Sequence, residues 1–100
     1  MNILAITACP TGIAHTYMAA EQLERAANKL GHKIKVETQG AMGIENEFTE
    51  EDIKNADFII FATAIPVQNK ERFENLKKLE ISVQEAIKNP ETILEKLGEL

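Results

Sequence analysis

The chain has 100 residues, 44% of them hydrophobic, and a formal net charge of −5 at pH 7. This length predicts a single domain, residues 1–100, with one hydrophobic core. The negative charge disfavours a nucleic-acid binder, which needs a basic face. The longest apolar run, residues 58–62, is too short to cross a membrane, and the first residues lack the basic region of a secretory signal. We therefore expect a soluble cytosolic protein without direct membrane insertion.

The first half of the chain predicts strand, helix, strand and loop. Residues 3–6 form a short apolar run, which is typical of a strand buried on both faces. Apolar residues at helical spacing over residues 13–30, Tyr17 included, predict a helix, and Gly31 is placed to cap it. Strict alternation of polar and apolar residues over 33–38 predicts a second strand. The two glycines in residues 39–43 predict a loop.

The second half continues the alternation of helices and strands. Thr49 precedes three acids and predicts the start of a short helix. Residues 58–62 give the strongest strand signal, residues 70–78 predict one or two helical turns, and residues 79–81 predict a fourth strand. Two more helix starts are predicted. The first is a capping box formed by Ser82 and Glu85. In the second, Asn89 is the N-cap and Pro90 the first helical residue of a helix that ends near Gly98.

This order of elements predicts an α/β fold, a flavodoxin-like, doubly wound three-layer sandwich. Its sheet is expected to be mainly parallel with four strands, in the order 2-1-3-4. Ligands of such sheets bind beyond the carboxyl ends of the strands. Cys9, Gln39 and Thr63 each follow a predicted strand, so we expect Gln39, Gly40 and Thr63 to form the rim of a site around Cys9.

Cys9 is the only cysteine and stands where the first strand gives way to the first helix. A helix N-terminus presents unpaired N–H groups and a positive dipole end, which bind phosphate and favour a thiolate. Glycine allows the backbone to curl around an anion, and proline stiffens the turn. The predicted phosphate-binding loop consists of Pro10, Thr11, Gly12, Ile13, Ala14, His15 and Thr16.

Several chemistries do not fit this loop. The glycine patterns of dinucleotide and nucleoside triphosphate sites are absent, and a thioredoxin-like site needs a second cysteine. The spacing Cys-x5-His-Thr is close to the Cys-x5-Arg-Ser/Thr loop of tyrosine phosphatases, but His15 stands at the arginine position. Histidine lacks the fixed, permanently charged fork of arginine, and no acid lies within the loop. The pattern therefore favours a phosphoryl carrier over a hydrolase, with no metal or cofactor.

The residues around Cys9 resemble the fructose-family enzyme IIB domains of the bacterial phosphotransferase sugar-uptake system. The resemblance covers nearly the whole chain. It is carried by Cys9-Pro10-Thr11-Gly12-Ile13-Ala14-His15-Thr16, Met18-Ala19-Ala20-Glu21, Val36-Glu37-Thr38-Gln39-Gly40, Arg72-Phe73 and Ser82-Val83-Gln84-Glu85-Ala86-Ile87.

The resemblance implies that Cys9 takes a phosphoryl group from a phosphohistidine on a IIA component. Cys9 would then pass it to a sugar bound by a membrane-embedded IIC component, so the chain would contact the inner face of the membrane through IIC. Two alternatives remain open: a regulatory module that binds partners according to its phosphorylation, and a small cysteine phosphatase. Thr16 either binds phosphate or caps its own helix, and His15 is either chemical or structural.

Overall fold

A five-stranded sheet lies at the centre of the computed structural model, which describes residues 1–8, 13–40, 43–67 and 69–97. The strands are β1 (Asn2–Ala8), β2 (Lys33–Gly40), β3 (Gly43–Glu45), β4 (Phe58–Thr63) and β5 (Lys77–Ile81). Their order is β3-β2-β1-β4-β5, and every pairing is parallel except that of β3 with β2. The predicted α/β class and the order of the four parallel strands are confirmed.

The prediction of four strands is wrong because residues 39–43 are not simply a loop. The β2 strand continues to Gly40, and β3 pairs with it antiparallel from Gly43 onward. The β3 strand has 3 residues, and only Ile44 among them is a large apolar residue, so it gives no detectable alternation. Residues 70–78 also differ from the prediction, since a 3₁₀ turn at Lys70–Phe73 is followed by β5 from Lys77.

Helices cover both faces of the sheet. They are α1 (Ile13–Lys29), α2 (Glu50–Asn55), α3 (Val83–Lys88) and α4 (Pro90–Leu97). One core cluster joins α1, α3 and α4 to the sheet through residues such as Leu23, Ile60 and Leu94. A second cluster on the opposite face contains Phe48, Phe61 and Phe73. No helix among the described residues is long and apolar enough to span a membrane.

The central strands are buried because their apolar side chains point to both faces. In β1, Ile3 belongs to the cluster under α1, and Ile6 belongs to the opposite cluster. In β4, Ile60 belongs to the cluster under α1 and Ile59 to the opposite cluster. All four isoleucine side chains are at most 1% exposed. Burial of each such side chain contributes about 1.5–3 kcal/mol to folding. The two apolar runs therefore set the middle of the sheet.

The end of α1 is a glycine cap, as the sequence predicts. Gly31 has a φ of +81°, in the left-handed region that glycine adopts without strain. The Gly31 N–H donates to the carbonyl of Asn28 at 3.2 Å, and the His32 N–H donates to the carbonyl of Ala27 at 2.8 Å. This pair of bonds is the Schellman pattern, and it turns the chain into β2.

The starts of the shorter helices also follow their sequence signals. Thr49 Oγ1 accepts from the Asp52 N–H at 3.1 Å, and the Asp52 carboxylate accepts from the Thr49 N–H at 2.8 Å. Ser82 Oγ accepts from the Glu85 N–H at 3.0 Å, and α4 begins at Pro90. Satisfying a helix N-terminus with such a side chain contributes about 1 kcal/mol.

Two threonines at one register position on the α1 face differ in their hydrogen bonding. Thr7 in β1 pairs with Thr38 in β2, and in parallel strands such partners point to the same face. The Thr7 hydroxyl donates to the Thr16 carbonyl in α1 at 3.1 Å. The Thr38 hydroxyl is buried and has no hydrogen-bond partner in the part of the chain that the structure describes. An unpaired buried hydroxyl is unfavourable by about 1–3 kcal/mol.

We predict opposite effects for valine at these two positions. Thr38→Val removes the unpaired hydroxyl and is expected to stabilise the protein by about 1 kcal/mol. Thr7→Val removes a donor to Thr16 and is expected to destabilise it by about 1 kcal/mol. Urea unfolding of both variants beside the wild type measures the two shifts. Destabilisation by Thr38→Val as large as that by Thr7→Val would contradict this account.

Candidate active site

The predicted loop joins the central strand to the longest helix. Cys9, Pro10, Thr11 and Gly12 lie outside the described residues, between the end of β1 at Ala8 and the start of α1 at Ile13. The other predicted loop residues belong to the first turn of α1, where Ala14 and His15 are exposed and Thr16 is buried. The geometry of the site is therefore built from the residues on either side of positions 9–12.

The predicted rim residues meet at the carboxyl edge of the sheet. Ala8, the residue before Cys9 in the chain, pairs with Gln39 on one side and with Thr63 on the other. The Ala64 N–H then donates to the Ala8 carbonyl at 2.9 Å. Gln39 is 3% exposed and Thr63 is half-buried. The structure thus brings Gln39 and Thr63 together around the end of β1.

Gly40 lies on the α1 side of this edge. A Cβ atom built on Gly40 would lie 4.0 Å from Thr16 Oγ1, which is ordinary van der Waals contact. The end of β2 therefore packs against the first turn of α1. The Thr7–Thr16 hydrogen bond holds the same turn against β1. The first turn of α1 contains no acid, so no side chain within it neutralises the positive end of this 17-residue helix.

Tyr17 is not a core residue, although its spacing predicts one. Its side chain is 40% exposed, and its hydroxyl donates to the Glu45 carboxylate of β3. This hydrogen bond, with smaller effects of burial and of the Glu45 charge, raises the pKa of Tyr17 above its ordinary value. The contact joins the start of α1 to the antiparallel edge strand that the sequence did not reveal.

A buried carboxylate lies two residues before the rim residue Gln39, and the sequence alone did not reveal it. Glu37 is fully buried, and its carboxylate accepts hydrogen bonds from Nη1 and Nη2 of Arg72, each at 3.0 Å. The Phe48 N–H donates to Oε1 at 3.0 Å, and Gln39 Nε2 donates to Oε2 at 2.7 Å. The alternation of polar and apolar residues over 33–38 predicts that Glu37 lies on a solvated face. Its partner Arg72 lies 35 positions later in the chain, so no short sequence motif indicates the pair.

The surroundings of Glu37 keep it ionised. Burial by itself raises the pKa of Glu37, but the hydrogen bonds from Arg72, Gln39 and Phe48 outweigh burial and hold the pKa below its ordinary value. The Arg72 guanidinium lies 4.6 Å from the centre of the Phe73 ring and 6.0 Å from that of Phe48. This arrangement shields the ion pair with aromatic rings. It also leaves both carboxylate oxygens occupied.

The described residues contain no cluster of three or more His, Cys, Asp and Glu side chains that could hold a metal ion. What they provide at the edge is a helix start without acids, two polar rim residues and a neutralised carboxylate. Such a set suits the binding of an anion by backbone N–H groups.

Comparison with known proteins gives a consistent assignment. The family model described as "PTS system, Lactose/Cellobiose specific IIB subunit" matches residues 4–96. The "PTS system fructose-like EIIB component 2" of Escherichia coli K12 is 46% identical over 96 residues, which cover 96% of this chain and 91% of that protein. Component 1 of the same strain is 46% identical over 99 residues, covering 99% and 92%.

Solved structures agree in fold as well as in sequence. The solution structure of an Enzyme IIB subunit of the PTS system from Escherichia coli K12 has a TM-score of 0.91 and 46% identity, covering 98% of this chain and 91% of that chain. A domain of the fructose-specific IIABC component from Borrelia burgdorferi has a TM-score of 0.89 and 48% identity, covering 94% and 89%. With the family match over residues 4–96, these similarities show that the chain belongs to the IIB family of the phosphotransferase system.

Proposed function

We propose that residues 1–100 act as one phosphocarrier domain in the uptake of a sugar of the fructose family. Cys9 accepts a phosphoryl group from a phosphohistidine on a IIA component. It then passes this group to a sugar bound by a membrane-embedded IIC component. The protein works in the cytoplasm and reaches the inner face of the membrane through IIC.

The proposed chemistry is two successive displacements at phosphorus. The Cys9 thiolate attacks the phosphoryl group, an S–P bond forms, and the P–N bond to the histidine of IIA breaks. A sugar hydroxyl oxygen then attacks the same phosphorus, and the S–P bond breaks to return the thiolate. The proton of that hydroxyl passes to a base on the sugar-binding partner. Catalysis of this kind depends mainly on positioning and on stabilisation of charge.

The observation that carries the proposal is the register around Ala8. The residue before Cys9 lies between Gln39 and Thr63, at the edge where parallel sheets bind their ligands. A 17-residue helix without acids in its first turn starts four residues after Cys9, so its N–H groups favour an anion there. Family membership supports the same conclusion.

Transfer is favoured over hydrolysis because the buried carboxylate near the rim is not available as a base. Both oxygens of Glu37 accept hydrogen bonds from Arg72 and from other N–H groups. A carboxylate with a lowered pKa that is neutralised by arginine is a poor acceptor for a proton from water. A phosphocysteine formed beside it would persist until a partner removes the phosphoryl group.

We predict that the protein gains one phosphoryl group when it is mixed with the phosphorylated IIA component of a fructose-type system. Intact-mass measurement follows the adduct, and Cys9→Ser is expected to abolish it because serine at this position lacks a thiolate. Wild type mixed with unphosphorylated IIA is the control. Release of inorganic phosphate in place of a stable adduct would support a phosphatase, and no adduct at all would leave a binding module.

The second transfer is tested with membrane vesicles that contain IIC. We expect the adduct to disappear, and sugar phosphate to form, when the vesicles and a sugar of the fructose family are added. Vesicles without IIC are the matched control. Retention of the adduct with every sugar tried would favour the regulatory module.

We predict that His15→Ala slows phosphorylation of Cys9 by tenfold or more, whereas His32→Ala does not. His15 is exposed in the first turn of α1, where we expect its ring to donate a hydrogen bond to the incoming phosphoryl group. A hydrogen bond to a charged group contributes about 1.5–3 kcal/mol. His32 lies at the far end of the same helix and is the other histidine of the chain. Quench-flow labelling with phosphorylated IIA measures both rates. Equal rates in the two variants would make His15 a structural residue.

A further inference from the structure

We propose that Glu37 and Arg72 are positioning residues for phosphoryl transfer, and that the pair sets the orientation of the Gln39 side-chain amide at the rim of the site. This inference rests on the proposed function of Cys9.

Stability alone does not explain why this pair is buried. The Glu37 side chain is 0% exposed and that of Arg72 is 17% exposed. Removing two charges from water is costly, and well-packed apolar residues of similar volume often stabilise a protein equally well or better. The pair lies beside the apolar cluster of Phe48, Phe61 and Phe73, where apolar replacements would find neighbours. The pair is therefore better explained by the geometry that it imposes.

The hydrogen bonds to Glu37 leave its carboxylate one orientation. Among the described residues, four N–H groups donate to it, two from Arg72 and one each from Phe48 and Gln39. An ionised carboxylate offers about four acceptor positions, so these donors use its capacity. Arg72 is itself held, because its Nε donates to the Asn69 carbonyl at 2.8 Å.

The fixed carboxylate determines which end of the Gln39 amide faces it. An ionised carboxylate only accepts hydrogen bonds, so Gln39 must present its NH₂ group to Glu37 and turn its carbonyl oxygen away. A neutral group at position 37 could donate instead and would allow the amide to flip. The lowered pKa of Glu37 agrees with this arrangement, because it keeps the carboxylate ionised.

The orientation of this amide matters because of where Gln39 lies. Gln39 is 3% exposed and pairs with Ala8, the residue before Cys9. Phosphoryl oxygens accept hydrogen bonds and do not donate them when ionised. With its NH₂ group on Glu37, the amide offers its carbonyl oxygen on the other side, so a flip would exchange an acceptor, which suits the N–H groups of the loop, for a donor that competes for the phosphoryl oxygens.

The ion pair also joins two segments that flank the end of β1. Phe48 lies between β3 and α2, on the β2 side of the sheet, and Arg72 lies in the 3₁₀ turn that follows β4. Phe48 and Arg72 bind the same carboxylate. The Phe48 and Phe73 rings also pack edge to face, with their centres 5.9 Å apart. Loss of the pair would release Gln39 and both segments together.

The first test is an apolar double variant, Glu37→Leu with Arg72→Met. We expect urea unfolding to show a folded protein that is less stable than the wild type, because both charges are removed together but the N–H groups of Phe48 and Gln39 lose their acceptor. The rate of Cys9 phosphorylation by phosphorylated IIA should fall at least tenfold. A double variant that transfers at the wild-type rate would overturn the inference, and one that is largely unfolded without urea would indicate a structural role.

The second test asks whether the pair acts through Gln39. Glu37→Gln keeps the size of the side chain but allows the Gln39 amide to flip, and Gln39→Met removes that amide. If the pair acts by orienting Gln39, Glu37→Gln slows transfer strongly in the wild type and little further in the Gln39→Met background. Independent, multiplicative losses would overturn the inference.

Asp52→Asn is the matched control for loss of an ion pair. Asp52 binds Lys35 at 2.6 Å with both side chains 30% exposed, and Lys35 pairs with Leu4, four residues before Ala8. This variant should transfer phosphoryl groups at the wild-type rate. A slow Asp52→Asn variant would mean that any lost ion pair impairs transfer. Failure of the wild type to form the Cys9 adduct would instead overturn the proposed function.

Discussion

The parallel pairing of β1 with β2 on one side and with β4 on the other is the constraint on which the rest of the structure depends. Its register carries Ile3 and Thr7 to the α1 face and Leu4 and Ile6 to the opposite face. A slip of one residue would exchange these faces and bury the wrong side chains. The same register ends the three strands beside Ala8, so the hydrophobic core and the site at its edge have a common origin.

Around Glu37, hydrogen bonding and charge neutralisation outweigh the cost of burial. An isolated carboxylate in this position would become protonated, because the protein interior penalises its charge. The bidentate arginine and the two further N–H donors reverse that tendency. The Phe48 and Phe73 rings then pack beside the guanidinium. An apolar cluster and an ion pair thus support each other beside the rim of the site.

Sequence predicted the parts of this fold that depend on near neighbours. The apolar run that forms β4, the glycine cap at Gly31 and the threonine cap at Thr49 are local signals, and the structure confirms each. The sequence did not predict β3, because its three residues form a strand by pairing with β2 and show no pattern of polar and apolar residues. It also missed the Glu37–Arg72 pair, because only the folded chain brings together residues 35 positions apart. The position of Gln39 and Thr63 on either side of Ala8 was predictable, since both residues follow predicted strands.

The two outer strands of the sheet have a consequence for self-association. Along β5, Lys77, Lys78 and Glu80 are all exposed, and along β2 the other edge is covered by only 3 residues of β3. An unprotected edge strand is a template on which another chain can add by backbone hydrogen bonding. A second copy that approached β5 would have to remove water from these charged side chains before its backbone could pair. The charged side chains of β5 therefore oppose extension of the sheet at that edge.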